Sequence, residues 1–188
     1  MIRAKTLLLH IGSWKTGTTA IQSYLSRSAS RLREAGVLYP LAMREFANKL
    51  DTAHHRLCQM LDNADGRMTR DLDVVCNDIN AELQKFECDT LLLSSENFMG
   101  MNRPEALARY FKSDHVIILA ALRPQAEFLN AMYYTEVCHL KVVDYPLEYF
   151  SNFDNRKFDY VKVLERWRSI WPSTEVRASL FQRGTESR

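Results

Sequence analysis

The run Leu7-Leu8-Leu9-His10-Ile11 breaks at Gly12, crosses a short loop holding one lysine, Lys15, and re-enters regular structure at Thr18 and Thr19. An apolar run closed by a glycine reads as a buried strand over 7–11, and the segment 18–35 reads as a helix. A strand, a loop bounded by Gly12 and Gly17, and a helix N-terminus present backbone N–H groups to one point, where the helix dipole adds positive potential. The chain is constrained twice by this. It needs a layered α/β arrangement around a buried strand, and it carries an anion cradle at that strand's end. Lys15 puts a full positive charge in the cradle, while Thr18 and Thr19 can cap the helix and donate hydroxyls to oxyanions.

The rest of the chain alternates in the same way. Ile21, Leu25 and Leu32 fall on one face of the first helix, Gly36 is a natural C-cap, and a short strand over 37–39 closes at Pro40. A helix starting at Asp51 or Thr52 runs to Leu61, a polar turn covers 63–66, and a longer helix covers 69–86 with Leu72, Val75, Ile79, Leu83 and Phe86 at helical spacing. Strands are expected over 90–94, 116–122 and 175–181. Helices are expected from Pro104 to Phe111, from Arg123 and Pro124 to Leu140, and over 159–170. Strands separated by helices imply a three-layer α/β fold, a parallel sheet with helices on both faces joined by right-handed crossovers. At 188 residues the chain is one domain, 1–188.

Ligands of such sheets bind outside the carboxyl ends of the strands. That rule brings three places together: the Lys15 loop, the run Ser95-Glu96-Asn97 after the strand over 90–94, and Arg123 after the strand over 116–122. An anion loop, a carboxylate and an arginine would share one sheet edge. Composition excludes several other classes. A net charge of +2 leaves no nucleic-acid footprint. Cys58, Cys76, Cys88 and Cys138 have no metal-ligand spacing and read as reduced packing residues, so no metal is expected. Nothing reaches the length of a transmembrane span or has the form of a signal peptide, which favours a cytoplasmic protein.

The loop itself is specific. A nucleoside-triphosphate P-loop reads G-x-x-x-x-G-K-[ST], with the lysine after the second glycine. Here Gly12 and Gly17 keep that separation, Thr18 stands at the lysine's place, and the lysine has moved back to Lys15. The run Lys15-Thr16-Gly17-Thr18-Thr19 resembles the K-x-G-T-T core of the 5′-phosphosulfate loop in PAPS-dependent sulfotransferases, in particular the bacterial, carbohydrate-sulfotransferase-like members. The resemblance implies a P-loop-like fold with that loop after the first strand, with Ser13, Trp14, Lys15, Thr16, Gly17, Thr18 and Thr19 around the phosphosulfate of PAPS (3′-phosphoadenosine 5′-phosphosulfate). It also implies that Arg123 binds the 3′-phosphate, normally with a serine on the following helix and a nearby aromatic. Tyr133 fits the aromatic, but Ala131 stands at the serine position and cannot donate a hydrogen bond, so Arg123 would hold the phosphate alone or with help from elsewhere, such as Gln125 or Asn130.

The activity implied is transfer of a sulfuryl group from PAPS to a hydroxyl or amine of an acceptor, which the resemblance suggests is a carbohydrate or glycolipid. Lys15 is then the partner of the leaving oxygen, and positioning and charge stabilisation dominate. An acceptor hydroxyl also needs a base. Glu96 at a strand end ranks first on geometry. His55 ranks next and His54 third, because an imidazole titrates nearer neutrality and similar bacterial proteins place a histidine comparably. His10 reads as a packed core histidine, and Trp14 as a cover for either the cofactor or the loop. Trp167, Trp171, Tyr133, Tyr134, Tyr145 and Tyr149 could stack on sugars, although helical spacing makes most of them core. The polar ending 182–188 stops where the family usually continues, which the resemblance reads as either a short gene product or a truncated form with weakened cofactor binding. Two alternatives remain: a small-molecule P-loop kinase, which would want a lysine at Thr18 and an acidic Mg²⁺ site, and a non-catalytic nucleotide-binding module.

Overall fold

A computed structural model of the chain describes residues 1–46, 49–63, 70–137 and 159–181. In chain order the strands are β1 (Ile2–Arg3), β2 (Thr6–Gly12), β3 (Val37–Leu38), β4 (Glu45–Phe46), β5 (Lys49–Leu50), β6 (Thr90–Ser94), β7 (Phe111–Lys112), β8 (His115–Leu122) and β9 (Thr174–Leu180). The helices are α1 (Thr18–Arg27), α2 (Ala29–Glu34), α3 (His55–Asn63), α4 (Arg70–Lys85), α5 (Leu107–Tyr110), α6 (Gln125–Thr135) and α7 (Tyr160–Arg168), with 3₁₀ turns at Glu96–Gly100 and Pro104–Ala106. The central sheet has the order β3-β6-β2-β8-β9, and every neighbouring pair in it is parallel. The expected α/β fold with a parallel sheet is therefore present.

Register sorts the sheet's side chains by face. Leu7, Leu91 and Val116 are partners across β2, β6 and β8, as are Leu9, Leu93 and Ile118, and all six are fully buried. They share a core with Leu72 and Ile79 of α4 and Trp167 of α7. Burying each such aliphatic side chain contributes roughly 1.5–3 kcal/mol. The opposite face carries His10 and Ser94 beside Leu119, and there Ile117 and Leu119 are only half-buried. Topology accounts for the difference. The connection from β2 to β3 runs one way along the sheet and the later ones run the other way, so right-handed crossovers leave α1 and α2 alone on their face.

Several expectations are corrected. The helix over 18–35 is two helices that meet at Ser28, whose N–H returns to the Tyr24 carbonyl. Its inward residues are Thr18 and Gln22, whereas Ile21 is exposed and Leu25 and Leu32 are half-buried. The inward stripe is polar because α1 starts at the sheet's carboxyl edge and faces Glu96, not the aliphatic core. The segment after Pro104 is a 3₁₀ turn and one short α-turn, which end where Phe111 extends to pair with β1. Neither that pair nor the antiparallel β4–β5 ribbon was expected, since two-residue strands carry no readable period. Helix α3 begins at His55, later than expected. Most of the turn over 63–66, the end of the helix expected to reach Leu140, Tyr145, Tyr149, Cys138 and the ending 182–188 lie outside the described residues. Among the described residues no helix is long and apolar enough to cross a membrane.

Candidate functional site

The strand ends of β6, β2 and β8 are neighbours, so the residues that follow them meet at one edge. Gly12 closes β2 at φ +100°, and a Cβ built on it would lie 2.9 Å from both Cα and Cβ of Glu96. Only glycine permits this approach, since φ is outside the range of L side chains and the space is filled. The loop then turns across to β8, where the Ser13 N–H donates to the Ala121 carbonyl at 2.6 Å. Ser13 and Thr16 are buried, and the Thr16 hydroxyl donates to the Ser13 carbonyl at 2.6 Å. Lys15 is held at φ 62°, an uncommon conformation for a residue with a Cβ. Trp14 is half-buried against the core.

The N-cap of α1 is Gly17 at φ 76°, with no side-chain cap bond, so Thr18 and Thr19 are the first helical residues and do not act as caps. Their position still matters, because the first N–H groups of a helix have no intrahelical acceptor. Thr18 is buried and Thr19 exposed.

Arg123 follows β8 and is 6% exposed. Its Nη1 donates to the Lys15 carbonyl at 2.9 Å and its Nε to Glu127 Oε2 at 3.4 Å. Its own carbonyl accepts from the Tyr160 hydroxyl at 2.8 Å, and the Phe181 ring lies 5.7 Å from its guanidinium carbon. The guanidinium thus fastens the lysine loop to α6. Burial raises the Tyr160 phenol, opposed by hydrogen bonds with Ser13 and the Arg123 carbonyl, so that hydroxyl stays a proton donor.

Glu96 opens the 3₁₀ turn after β6. Its Oε2 accepts from Gln22 Nε2 at 2.7 Å and lies 3.9 Å from His55 Nε2, with the two side chains 17% and 30% exposed. His55 Nδ1 is 2.7 Å from the Ser95 hydroxyl, whose oxygen also accepts from the Asn97 N–H at 3.2 Å. His54 is different. It is fully buried, its Nδ1 accepts from the Ser94 N–H at 3.2 Å, and its Nε2 lies 3.3 Å from the Pro40 carbonyl. Burial, then the nearby Arg44 charge, pushes its pKa down to about 3. With both nitrogens engaged and no proton affinity near neutrality, His54 is structural and falls out as a base. His10 is likewise packed, with Nδ1 2.7 Å from the Ser94 hydroxyl and its pKa lowered by burial despite Glu96.

Beside the loop a cleft of about 1020 Å³ runs from Lys15 and Gly17 past Arg123 along α6 to Phe181. Tyr134 and Ala131 line it, and Tyr134 is 65% exposed. Trp167 and Trp171 belong to the core and offer no sugar platform. Among the described residues no cluster of three His, Cys, Asp or Glu side chains could hold a metal. Cys58, Cys76 and Cys88 are buried free thiols whose pKa values burial pushes up.

The structure therefore makes two groupings at this edge: Lys15 and Gly17 share the cleft with Arg123, while Glu96 lies against Gly12 and pairs with Gln22 and His55. Sequence reasoning missed Gln22, Ser95 as the partner of His55, and Tyr160. The signal for Gln22 was its i+4 spacing from Thr18, which shares an inward face only once α1 is seen to start at the sheet edge. No protein-family model matches the chain, and no curated protein is found to be similar to it.

Proposed function

We propose that this chain is a sulfotransferase, holding an adenosine 5′-phosphosulfate donor (PAPS in the family it resembles) at the P-loop-like turn 12–17. The sulfuryl group passes to an acceptor hydroxyl or amine, with a carbohydrate as the acceptor favoured by the resemblance. The observation that carries the reading is the clamped loop: Lys15 in a left-handed conformation, its carbonyl gripped by buried Arg123, with Gly12 against Glu96. A loop held at both ends presents a lysine and the first N–H groups of α1 to an anion without reorganising, which is where electrostatic stabilisation is strongest.

In the transfer, the bond from sulfur to the bridging oxygen of the 5′-phosphate breaks as the bond to the acceptor oxygen forms. Lys15 and the α1 N-terminus stabilise the charge left on the nucleotide phosphate. Glu96 takes the acceptor proton, oriented by Gln22, with His55 beside it to share the positive charge or relay the proton.

The test is transfer of labelled sulfuryl from PAPS, and from adenosine 5′-phosphosulfate, to a panel of sugars. Lys15→Ala should lower the rate about 10²–10³-fold, as loss of one preorganised donor does elsewhere. Glu96→Gln, which keeps an oxygen for the Gln22 amide but cannot take a proton, should lower the rate about 10²–10⁴-fold, and His55→Ala should lower it less. Binding of ATP that needs Mg²⁺, with no transfer from either donor, would replace this reading with a small-molecule kinase. Nucleotide binding without any turnover would leave a non-catalytic module.

A further inference from the structure

The two ends of the cleft differ in chemistry. Near the loop it offers Lys15 and the start of α1; farther along, one face of α6 offers Glu127, Asn130, Ala131 and Tyr134. These positions recur at helical spacing, so they form one continuous wall. The guanidinium among the described lining residues is Arg123, and it is 6% exposed and turned to the Lys15 carbonyl and the Glu127 carboxylate. The Glu127 side chain is 53% exposed, so its carboxylate remains accessible from the cleft. Ala131 adds only a methyl group.

A nucleoside running out from the loop along α6 thus meets a carboxylate, an amide and a methyl. A second phosphate there would have the Asn130 amide as its donor and would lie against the Glu127 carboxylate, which already engages the Arg123 guanidinium. Ribose hydroxyls are the complementary group, because a carboxylate accepts from both. Dinucleotide-binding sheets separate free from phosphorylated ribose on the same basis, with an acidic residue for the hydroxyl and an arginine for the phosphate.

We infer that the cleft takes a nucleoside 5′-phosphate or 5′-phosphosulfate whose ribose hydroxyls are free, with Glu127 accepting from the ribose and Tyr134 presenting its ring to the base. This rests on the loop being the 5′-phosphate site, as proposed above, and it makes Glu127 the residue that discriminates against a 3′-phosphate.

The experiment is calorimetric titration of the full chain with 5′-AMP and with adenosine 3′,5′-bisphosphate at one ionic strength, using wild type, Glu127→Gln, Ala131→Ser and Lys15→Ala. Wild type should bind 5′-AMP about tenfold more tightly or better, since opposing like charges is a strong source of discrimination. Glu127→Gln should narrow or reverse that ratio by strengthening the bisphosphate, and its thermal melt reads separately what the lost charge partner of Arg123 costs the fold. Ala131→Ser should move the ratio the same way by adding a donor. A wild-type preference for the bisphosphate that neither variant alters would overturn the inference. If Lys15→Ala weakens both nucleotides in that case, the loop reading survives alone. If wild type binds neither nucleotide, or Lys15→Ala changes neither affinity, both fall together.

Discussion

Gly12 shows how a single backbone position joins two halves of the site. Its φ of +100° and the 2.9 Å approach of its missing Cβ to Glu96 mean that an alanine must twist the loop and displace the carboxylate together. Gly12→Ala should cost about 2–4 kcal/mol, from a left-handed backbone and an overpacked contact. Urea denaturation measures it, and an unchanged midpoint would mean that the loop can move off Glu96 freely. His54 makes a second residue-level prediction, of opposite character to a catalytic histidine. Its folded pKa of about 3 lies below the ordinary 6.5, so the unfolded state binds the proton first and stability falls as pH falls. The contribution is complete above pH 6.5, declines from there toward pH 3, and amounts to about 2 kcal/mol between pH 7 and 5. His10, lowered in the same direction, adds to the slope. Stability that is flat between those two pH values would show that His54 takes up its proton in the folded chain.

At the scale of elements, Arg123 stitches the end of β8 to the lysine loop and to α6. Arg123→Ala should therefore lower stability by about 1–3 kcal/mol, because it takes a nearly buried guanidinium from the Lys15 carbonyl and the Glu127 carboxylate, and should weaken every nucleotide alike. Arg123→Lys should not rescue it, since one ammonium cannot span two acceptors set in a planar fork. Thermal melts and calorimetry on both variants check this; rescue by lysine would mean that only the charge counts. The same elements show what could be read in advance. The strand over 90–94 and α4 were legible to the residue, or nearly so, because continuous leucines and a clean 3.6 period admit one reading. The meeting of strand ends was legible too, because crossover handedness leaves few topologies. The inward face of α1 was not. A periodicity argument assumes that apolar side chains turn inward, and here Gln22 does so because its partner is a carboxylate 74 positions away, beyond any helical window. The burial of Arg123 was hidden for the same reason: its acceptors lie on the Lys15 loop and on α6, and composition says nothing of either.

For the whole molecule, the parallel order β3-β6-β2-β8-β9 with a single reversed crossover leaves the two faces of the sheet unequally covered. One face is closed by α4, α5 and α7 over Leu7, Leu9, Leu91 and Leu93, while on the other Ile21 and Leu25 of α1 line a cleft that reaches from Leu92 of β6 past His10 and Leu119 to Ala178 of β9. Strand β9 is consequently exposed along most of its length, with Leu180 at 60% and an ion pair of Glu175 with Arg177 at 2.7 Å on its surface. Opening free energy follows buried contact, so amide exchange should be graded across the sheet, not uniform. Peptides from β2 and β6 should exchange last, near the global unfolding limit, β8 next, and β9 earliest. The loop 12–17 should be protected more than its length suggests, because the Ser13 N–H is bonded to β8 and Arg123 holds the Lys15 carbonyl. Hydrogen–deuterium exchange read by mass spectrometry separates these peptides. Fast exchange in 12–17 alongside a protected β2 would mean that the cradle forms only around its anion, and the preorganisation invoked for catalysis would then have to come from the donor itself.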